Sequence, residues 1–448
     1  MKQAKEQIRI SDHFTYKKLT RFVLPSIVMM AVTSVYGVID GLFISNFVGK
    51  TPFASINLIM PLPMILGGFG FMIGTGGTAI VSKVMGEKEP DKANGYFSAF
   101  IVFAVLSGLL LTALGEGIMR PVAKVMGATD EMMKDCILYG RILVGFTVFY
   151  MLQNIFQSFL AAAEKPGLGL LVTVIAGFAN AILDALFIVV FKWGVAGAAI
   201  ATVIGQMLGG IIPLVYFLKK KDGLLKLVKP RFEFKVILKG CGNGSSELLT
   251  NVSASVVSML YNKRLMSFFG ENGVSAYGVL MYVQLVFIAL EIGFTIGSAP
   301  IIAYNYGAKN DAELKNVFKK SVLILSGAGI LLSALAQALT LPLSKLFVGY
   351  DKELCDLTVH AFRLFSFSFI LSGVAIYSSG FFTALNNGFV SALLSLMRSL
   401  VFQISFVFIL PAVFGVEGIW WAMFATEVCS TVVAVIFFVA ERKKYRYI

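Results

Sequence analysis

Twelve apolar runs follow one another along this chain, at 22–47, 53–81, 95–115, 135–160, 168–191, 195–218, 235–262, 274–302, 318–341, 356–384, 389–411 and 418–440, separated by short clusters of Gly, Pro and charge. A helix needs about 20 apolar residues to cross the hydrocarbon of a bilayer, whereas a barrel strand needs only about 10. Runs of this length predict helices, each satisfying its own backbone hydrogen bonds where no water is available. Composition agrees: 57% of the 448 residues are hydrophobic and 14% charged, too little polar surface for a soluble fold of this size. The expected class is all-α, a polytopic membrane protein with twelve transmembrane helices. The opening stretch MKQAKEQIRISDHFTYKKLTR is polar, with no short apolar core ahead of a cleavage site. No signal peptide is expected, and the first hydrophobic helix is retained.

The 38 Lys and Arg against 25 Asp and Glu give a formal charge of +13. In a soluble protein that surplus would point to nucleic acid. Here the basic residues lie between apolar spans, so they report orientation and no nucleic-acid partner is expected. With both termini inside, the inner segments hold 26 basic residues and the outer segments nine. That asymmetry predicts a multi-pass protein of the plasma membrane with both termini cytoplasmic. Cys136, Cys241, Cys355, Cys429, His13 and His360 show no CxxC and no paired metal-ligand spacing, which argues against structural zinc and a disulfide framework.

The two halves match at a near-constant offset. Phe47-Val48-Gly49 meets Phe268-Phe269-Gly270, and Trp193-Gly194-Val195-Ala196-Gly197 meets Phe414-Gly415-Val416-Glu417-Gly418, each 221 residues on. Val84-Met85-Gly86 with Asn305-Tyr306-Gly307 and Asp130 with Asp351 keep the same interval. Six helices per copy is an even number, so both copies cross the membrane in the same sense and are related by a pseudo-two-fold axis along its normal. The expected organisation is an N-lobe over 1–218, a basic cytoplasmic linker over 219–235 and a C-lobe over 236–448, facing each other across a central cleft.

Five carboxylates fall well inside the predicted spans: Asp40, Asp184, Glu247, Glu291 and Glu427. An ionisable group at that depth is costly unless it faces a polar cavity or a partner, which makes each a functional candidate. Asp40 lies toward the outer end of helix 1. Asp184 and Asn180 project from one face of helix 5, four residues apart, and Thr202 follows on helix 6. Two carboxylates, an amide and a hydroxyl are the parts of a site for a hard cation or a proton. The offset of 221 turns Asp40 into Tyr261, Asn180 into Val401, Asp184 into Ser405 and Thr202 into Met423. A cluster present in one copy only favours ion coupling in that lobe over a structural hydrogen-bonded network. Glu291 is a candidate for the cleft. Glu247 either lines its inner mouth or snorkels there. Arg398 can balance one of the acids, and Glu427, matched to Gln206, suits polar packing at least as well as substrate contact. Most of the 18 Met, 40 Phe and 15 Tyr face lipid or neighbouring helices. Tyr36, one turn before Asp40, is the individual expected in a cleft that accepts flat cationic compounds.

These motifs resemble the multidrug and toxic compound extrusion (MATE) family. The matching pieces are VYGVIDGLFISNFVG, MGEKEPDKANGYFS, Tyr139-Gly140-Arg141-Ile142, ANAILDALFI followed by WGVAGAAIATVIGQ, and, in the second half, IGSAPIIAYNYGAK and GVEGIWWA. The resemblance implies a twelve-helix exporter in which an inward H⁺ or Na⁺ gradient expels amphipathic, often cationic drugs. It places the coupling ion on Asp40, Asn180 and Asp184, with Thr202, and adds Tyr139 and Asn154 on helix 4. The loop AAAEKPG departs from the LRGxGDT pattern common in the family, and no acid stands further along helix 7 than Glu247.

The expectation is an alternating-access antiporter, not an enzyme, acting as a monomer in the lipid bilayer on small drug-like molecules, with no cofactor beyond a coupling ion, H⁺ or Na⁺, held at Asp40, Asn180, Asp184 and Thr202. The alternative is a lipid-linked saccharide flippase of the same superfamily, which would carry a strongly basic cleft. A major-facilitator transporter would show a DRxGRR-like loop where this chain reads SKVMGEKEPDK. An intramembrane enzyme would need clustered His, Cys or Asp.

Overall fold

The structure, a computed structural model, describes residues 8–220 and 223–448. Residues 1–7 of the polar amino-terminal stretch and 221–222 of the expected linker lie outside the described residues. The first half runs through α1 (Tyr16–Phe47), α2 (Lys50–Ile59), α3 (Pro61–Gly86), α4 (Pro90–Val125), α5 (Asp130–Gly145), α6 (Thr147–Ala162), α7 (Pro166–Asp184) with a π-helical extension (Ala185–Val190), and α8 (Gly194–Lys219). The second holds α9 (Phe234–Asn243), α10 (Ser245–Gly307), α11 (Asp311–Val348), α12 (Lys352–Phe365), α13 (Phe369–Ala384), α14 (Gly388–Leu396), a π-helical stretch (Met397–Phe402), α15 (Gln403–Phe414) and α16 (Gly418–Tyr445). No strand occurs among the described residues.

Nine helices among the described residues are long and apolar enough to span, and α5 with α6, bent by 56°, makes a tenth. Two of the nine double back. The 63 residues of α10 would extend about 95 Å if straight, three times the hydrocarbon thickness, and the chain reverses at Gly270 (φ 60°, ψ −148°). That left-handed backbone excludes most side chains and is why a glycine stands there. The stretch from Gly388 to Tyr445 turns in the same way at Gly415 (φ 67°). The crossings thus reach twelve. The span expected at 135–160 is broken at Phe146 (φ −114°, ψ 19°). The carbonyl of Val144 freed there accepts the hydroxyls of Thr147 (2.8 Å) and Thr112 (3.0 Å), which makes the kink tolerable in an apolar setting.

The internal duplication extends to the backbone. Positive φ recurs at Gly49 and Gly270, Lys88 and Lys309, and Gly194 and Gly415, each 221 apart, and at Glu164 and Asn386, 222 apart. Where α3 crosses the end of α10 the repeat becomes a contact: Gly86 lies against the carbonyl of Tyr304, and Gly307 against that of Lys83, the same two positions with the halves exchanged. Neither helix leaves room for a Cβ, so the backbones meet directly. A second crossing brings Gly76 against Gly240 and Gly244 against Met72. Asn386 Nδ2 donates to Ala79 O (3.3 Å) nearby. The first and last described segments lie on the face where these helices meet: Phe14 bonds to Glu313, and Arg446 pairs with Asp311 at 3.5 Å. Leu106, Leu109, Leu110 and Leu114 on α4, Ile330 and Leu331 on α11, and Val432, Val435 and Ile436 on α16 stay exposed, the surface a bilayer would cover.

Candidate functional site

Helix α1 delivers Asp40 and α7 delivers Asp184 into the interior of the first half, where they are 8% and 0% exposed and their carboxyls stand side by side. Asn180, one turn earlier on α7, is buried with them, and Tyr139 of α5, fully buried, lies near both carboxyls and beside Thr202 of α8. Asn180, Tyr139 and Thr202, three of the other four residues expected to form an ion site, thus surround Asp40 and Asp184. Asn154 is turned elsewhere: its Nδ2 donates to Gly67 O of α3 at 3.1 Å. Thr202 Oγ1 donates to Ala198 O within its own helix. The local sequence explains the crowding. Gly177 and Gly205 let Tyr36 and Asn180 pack where a side chain would otherwise stand, and the π-helical turn begins directly after Asp184, where widened helices are frequent at functional sites.

The site is rich in polar atoms without a protein partner. Asp40 Oδ1, both oxygens of Asp184, both polar atoms of the Asn180 amide and the Tyr139 hydroxyl are buried and unpaired. Neither carboxyl is joined to a basic side chain. An oxygen-rich, cation-free set of this kind can take up one proton between the carboxyls or one desolvated hard cation. No group of three or more His, Cys, Asp or Glu suited to a resident metal occurs among the described residues, and the four cysteines are free.

A cavity of about 680 Å³ lies between the halves. Met64, Thr75, Thr78 and Ser158 come from the first half; Tyr261, Tyr277, Tyr282, Met281, Ile292 and Thr295 are among the many residues from the second. Tyr261 and Tyr277 stack at 4.7 Å with rings nearly parallel. The position that holds an acid in the first half therefore holds an aromatic wall in the second. Glu247 and Arg398 line the cavity as expected of cleft residues. Glu291 and Tyr36 are not among its wall residues. Glu291, 2% exposed, is drawn behind the wall by Ser372, whose hydroxyl donates to it at 2.7 Å, and Tyr36 packs inside the first half against Tyr150 and Gln153. Arg398, carried by the second π-helical stretch, grips Glu427 with two bonds, Nε to Oε2 at 3.0 Å and Nη2 to Oε1 at 2.7 Å. It is the acid Glu427 that Arg398 balances.

Three buried residues of α6 escaped the sequence reading: Gln153, Gln157 and Ser158. With Asn154 they make the pattern QNxxQS inside an apolar span, a double polar stripe at helical spacing and a signal as plain as the acids. Ser158 reaches the central cavity, while Gln153 lies beside Tyr36, close to Asp40.

The sequence model of the MatE family matches residues 25–186 and again 247–409, most of the chain and once in each half. The chain belongs to the MatE family. MatE membership makes it a multi-pass membrane transporter rather than an enzyme. Relatives include the multidrug export protein MepA of Staphylococcus aureus (strain MSSA476), 23% identical, with 92% of this chain and 91% of the relative covered, and MepA of Staphylococcus haemolyticus (strain JCSC1435), 25% identical over 93% and 91%. Among solved structures, an outward-facing multidrug resistance MATE transporter of the MOP superfamily superposes with a TM-score of 0.92 at 20% identity, covering 100% of both chains. A MOP-superfamily transporter from Pyrococcus furiosus, described as having a binding pocket of reverse polarity, superposes with 0.89 at 20% identity, covering 99% and 98%. This MatE chain therefore shares their two-lobe fold.

Proposed function

We propose that this MatE protein is a multidrug exporter of the plasma membrane, with both termini in the cytoplasm, that moves amphipathic, often cationic compounds outward in exchange for H⁺ or Na⁺. The observation that carries the reading is the Asp40–Asp184 pair, buried, adjacent, and without a basic partner. Two carboxylates in a low dielectric repel each other and are poorly solvated, so a proton or Na⁺ shared between them lowers the energy of the closed interior. Its departure toward the cytoplasm restores two like charges and favours a different packing of α1 against α7. The ion thus biases two arrangements of the first half. The halves, joined by the linker 219–235, part alternately on either face around the central cavity.

Cargo would occupy the cavity. Its walls carry Tyr261, Tyr277 and Tyr282 and the thioethers of Met64, Met281 and Met423 among aliphatic and hydroxyl side chains, and Arg398, the one basic residue among the described wall residues, is already neutralised by Glu427. Glu247 is left as the free charge, which suits neutral or cationic amphipaths. A lipid-linked pyrophosphate would meet no basic cleft there, so the flippase reading has less support.

The test is transport in proteoliposomes. Ethidium movement is followed under an imposed pH gradient and then an imposed Na⁺ gradient, with Asp40→Asn in parallel. Movement driven by one gradient and lost in the variant names the ion; full activity in both Asp40→Asn and Asp184→Asn would sink the assignment.

A further inference from the structure

The short segment ahead of α1 rests mostly on the other half. Ile10 and Phe14, 1% and 0% exposed, are buried with Leu19, Phe22 and Val23 of α1 in a cluster built mostly from the second half, among them Ile301, Leu314, Val317 and Phe318. Phe14 N–H donates to Glu313 Oε1 (2.9 Å), and Phe14 O accepts from Asn316 Nδ2 (2.9 Å) and Lys320 Nζ (2.6 Å). His13 Nδ1 meets Glu313 Oε2 at 2.6 Å. In the first half beyond α1, Glu164, in the turn between α6 and α7, holds the same segment by accepting Ile10 N–H at 2.8 Å. The lead-in to α9 is crossed in the reverse sense. Lys226 N–H and Val228 N–H donate to Asn94 Oδ1 and Ser98 Oγ of α4, both at 2.9 Å, and Leu225 is buried in the first half's core.

We propose that residues 8–15 form a latch across the cytoplasmic ends of the two halves, with Glu313 and Glu164 as its positioning residues. The proposal rests on the alternating-access reading above. Only Thr15 separates Phe14 from the first residue of α1, and one extended residue supplies no more than about 3.6 Å of slack. The halves therefore cannot part by more than a few ångströms at this face unless Ile10 leaves Glu164, or Phe14 and the start of α1 together leave the second-half cluster. The latch favours the state closed to the cytoplasm, and its release is part of each return to the inward-open state.

Two measurements on the full-length protein test this. In a background free of the four native cysteines, Ala79→Cys reports opening, because Ala79 is 1% exposed and lies under Asn386 at the closed face. Glu164→Ala with Glu313→Ala is expected to raise its labelling by a membrane-impermeant maleimide, added from the latch side, by about tenfold, and Glu313→Gln by less, since an amide oxygen still accepts Phe14 N–H. Unchanged labelling overturns the latch, as does a lowered Tm with unchanged labelling, which would mark these contacts as ordinary packing. The second measurement uses His13→Cys with Glu313→Cys. Oxidation should stop ethidium transport and dithiothreitol restore it, a recovery that a misfolded variant cannot give. Transport that continues in the cross-linked protein overturns the latch. Faster labelling in a protein that moves no drug under either gradient would leave the latch standing and remove the drug-export reading.

Discussion

The two halves share a backbone and solve its electrostatics in opposite ways. In the first, two acids meet in the interior with no cation, and the polar atoms around them stay unpaired. In the second, the position of Asp40 is Tyr261, stacked on Tyr277, and the buried Glu427 is held by the two-pronged grip of Arg398. Even the widened helical turns follow this division: one begins after Asp184, the other carries Arg398. A satisfied ion pair is rigid and fixed in charge, whereas an unsatisfied carboxyl pair responds to whatever it can bind. The first half leaves its buried charge open, and the second closes it.

The largest test of that contrast is to neutralise the acids of the first half and to trim the side chains at the matching positions of the second. Asp40→Asn or Asp184→Asn is expected to reduce gradient-driven transport to background while the protein still inserts. Tyr261→Phe and Ser405→Ala, at the matching positions, should keep at least about half the wild-type rate, since each removes no more than one hydrogen bond. Equal losses in both halves would erase the contrast. Arg398→Gln comes next: it strands Glu427, 0% exposed, as an unpaired buried charge, at a cost of about 3–5 kcal/mol seen as a lowered Tm. Adding Glu427→Gln, which copies Gln206 of the first half, should recover most of that loss.

A smaller effect probes where the halves are alike. Gly86→Val and Gly307→Val each force a side chain against a facing carbonyl, and each should cost about 1–3 kcal/mol. Because the two contacts are equivalent, their Tm shifts should agree; tolerance of one alone would show that the axis is not energetically symmetric. The smallest effect is at Glu164. Burial raises its carboxyl above the usual range, so the folded chain holds that proton more tightly than the unfolded chain, whose glutamate titrates at about 4.3. Its contribution is present below that value and is lost as pH rises through the raised one. Glu164→Gln should therefore flatten the fall in Tm on raising pH from about 4 to 8, leaving lower pH unchanged.

Much of this was legible in the sequence. Long apolar runs specify helices because nothing else hides its backbone in lipid, and an acid inside such a run stands out because its burial is costly. That is why Asp40, Asp184 and Arg398 could be singled out in advance. The break at Phe146 was not legible, since the residue before it, Gly145, is one of 43 glycines and the hydroxyl that relieves the kink comes partly from Thr112 on another helix. Glu291 was misplaced because helical spacing says that a group is inside, not which neighbour captures it. The latch was hidden for a different reason. Glu164 and Glu313 sit in polar turns where charge is ordinary, and their partners lie 154 and 300 residues away.

The glycine crossing of α3 and α10 has an ancestral consequence. Gly86 touches the carbonyl of Tyr304 and Gly307 touches the equivalent carbonyl of Lys83, so the contact is self-complementary, the isologous patch of a two-fold homodimer. A six-helix half therefore carries both sides of its own interface, and two separate copies could close on one another through it. What two identical copies could not do is differ. A true homodimer would place the carboxyl pair in both subunits or in neither. Joining the copies in one chain lets one half carry Asp40 where the other carries Tyr261, and leaves a symmetric closure with its carboxyl pair on one side alone.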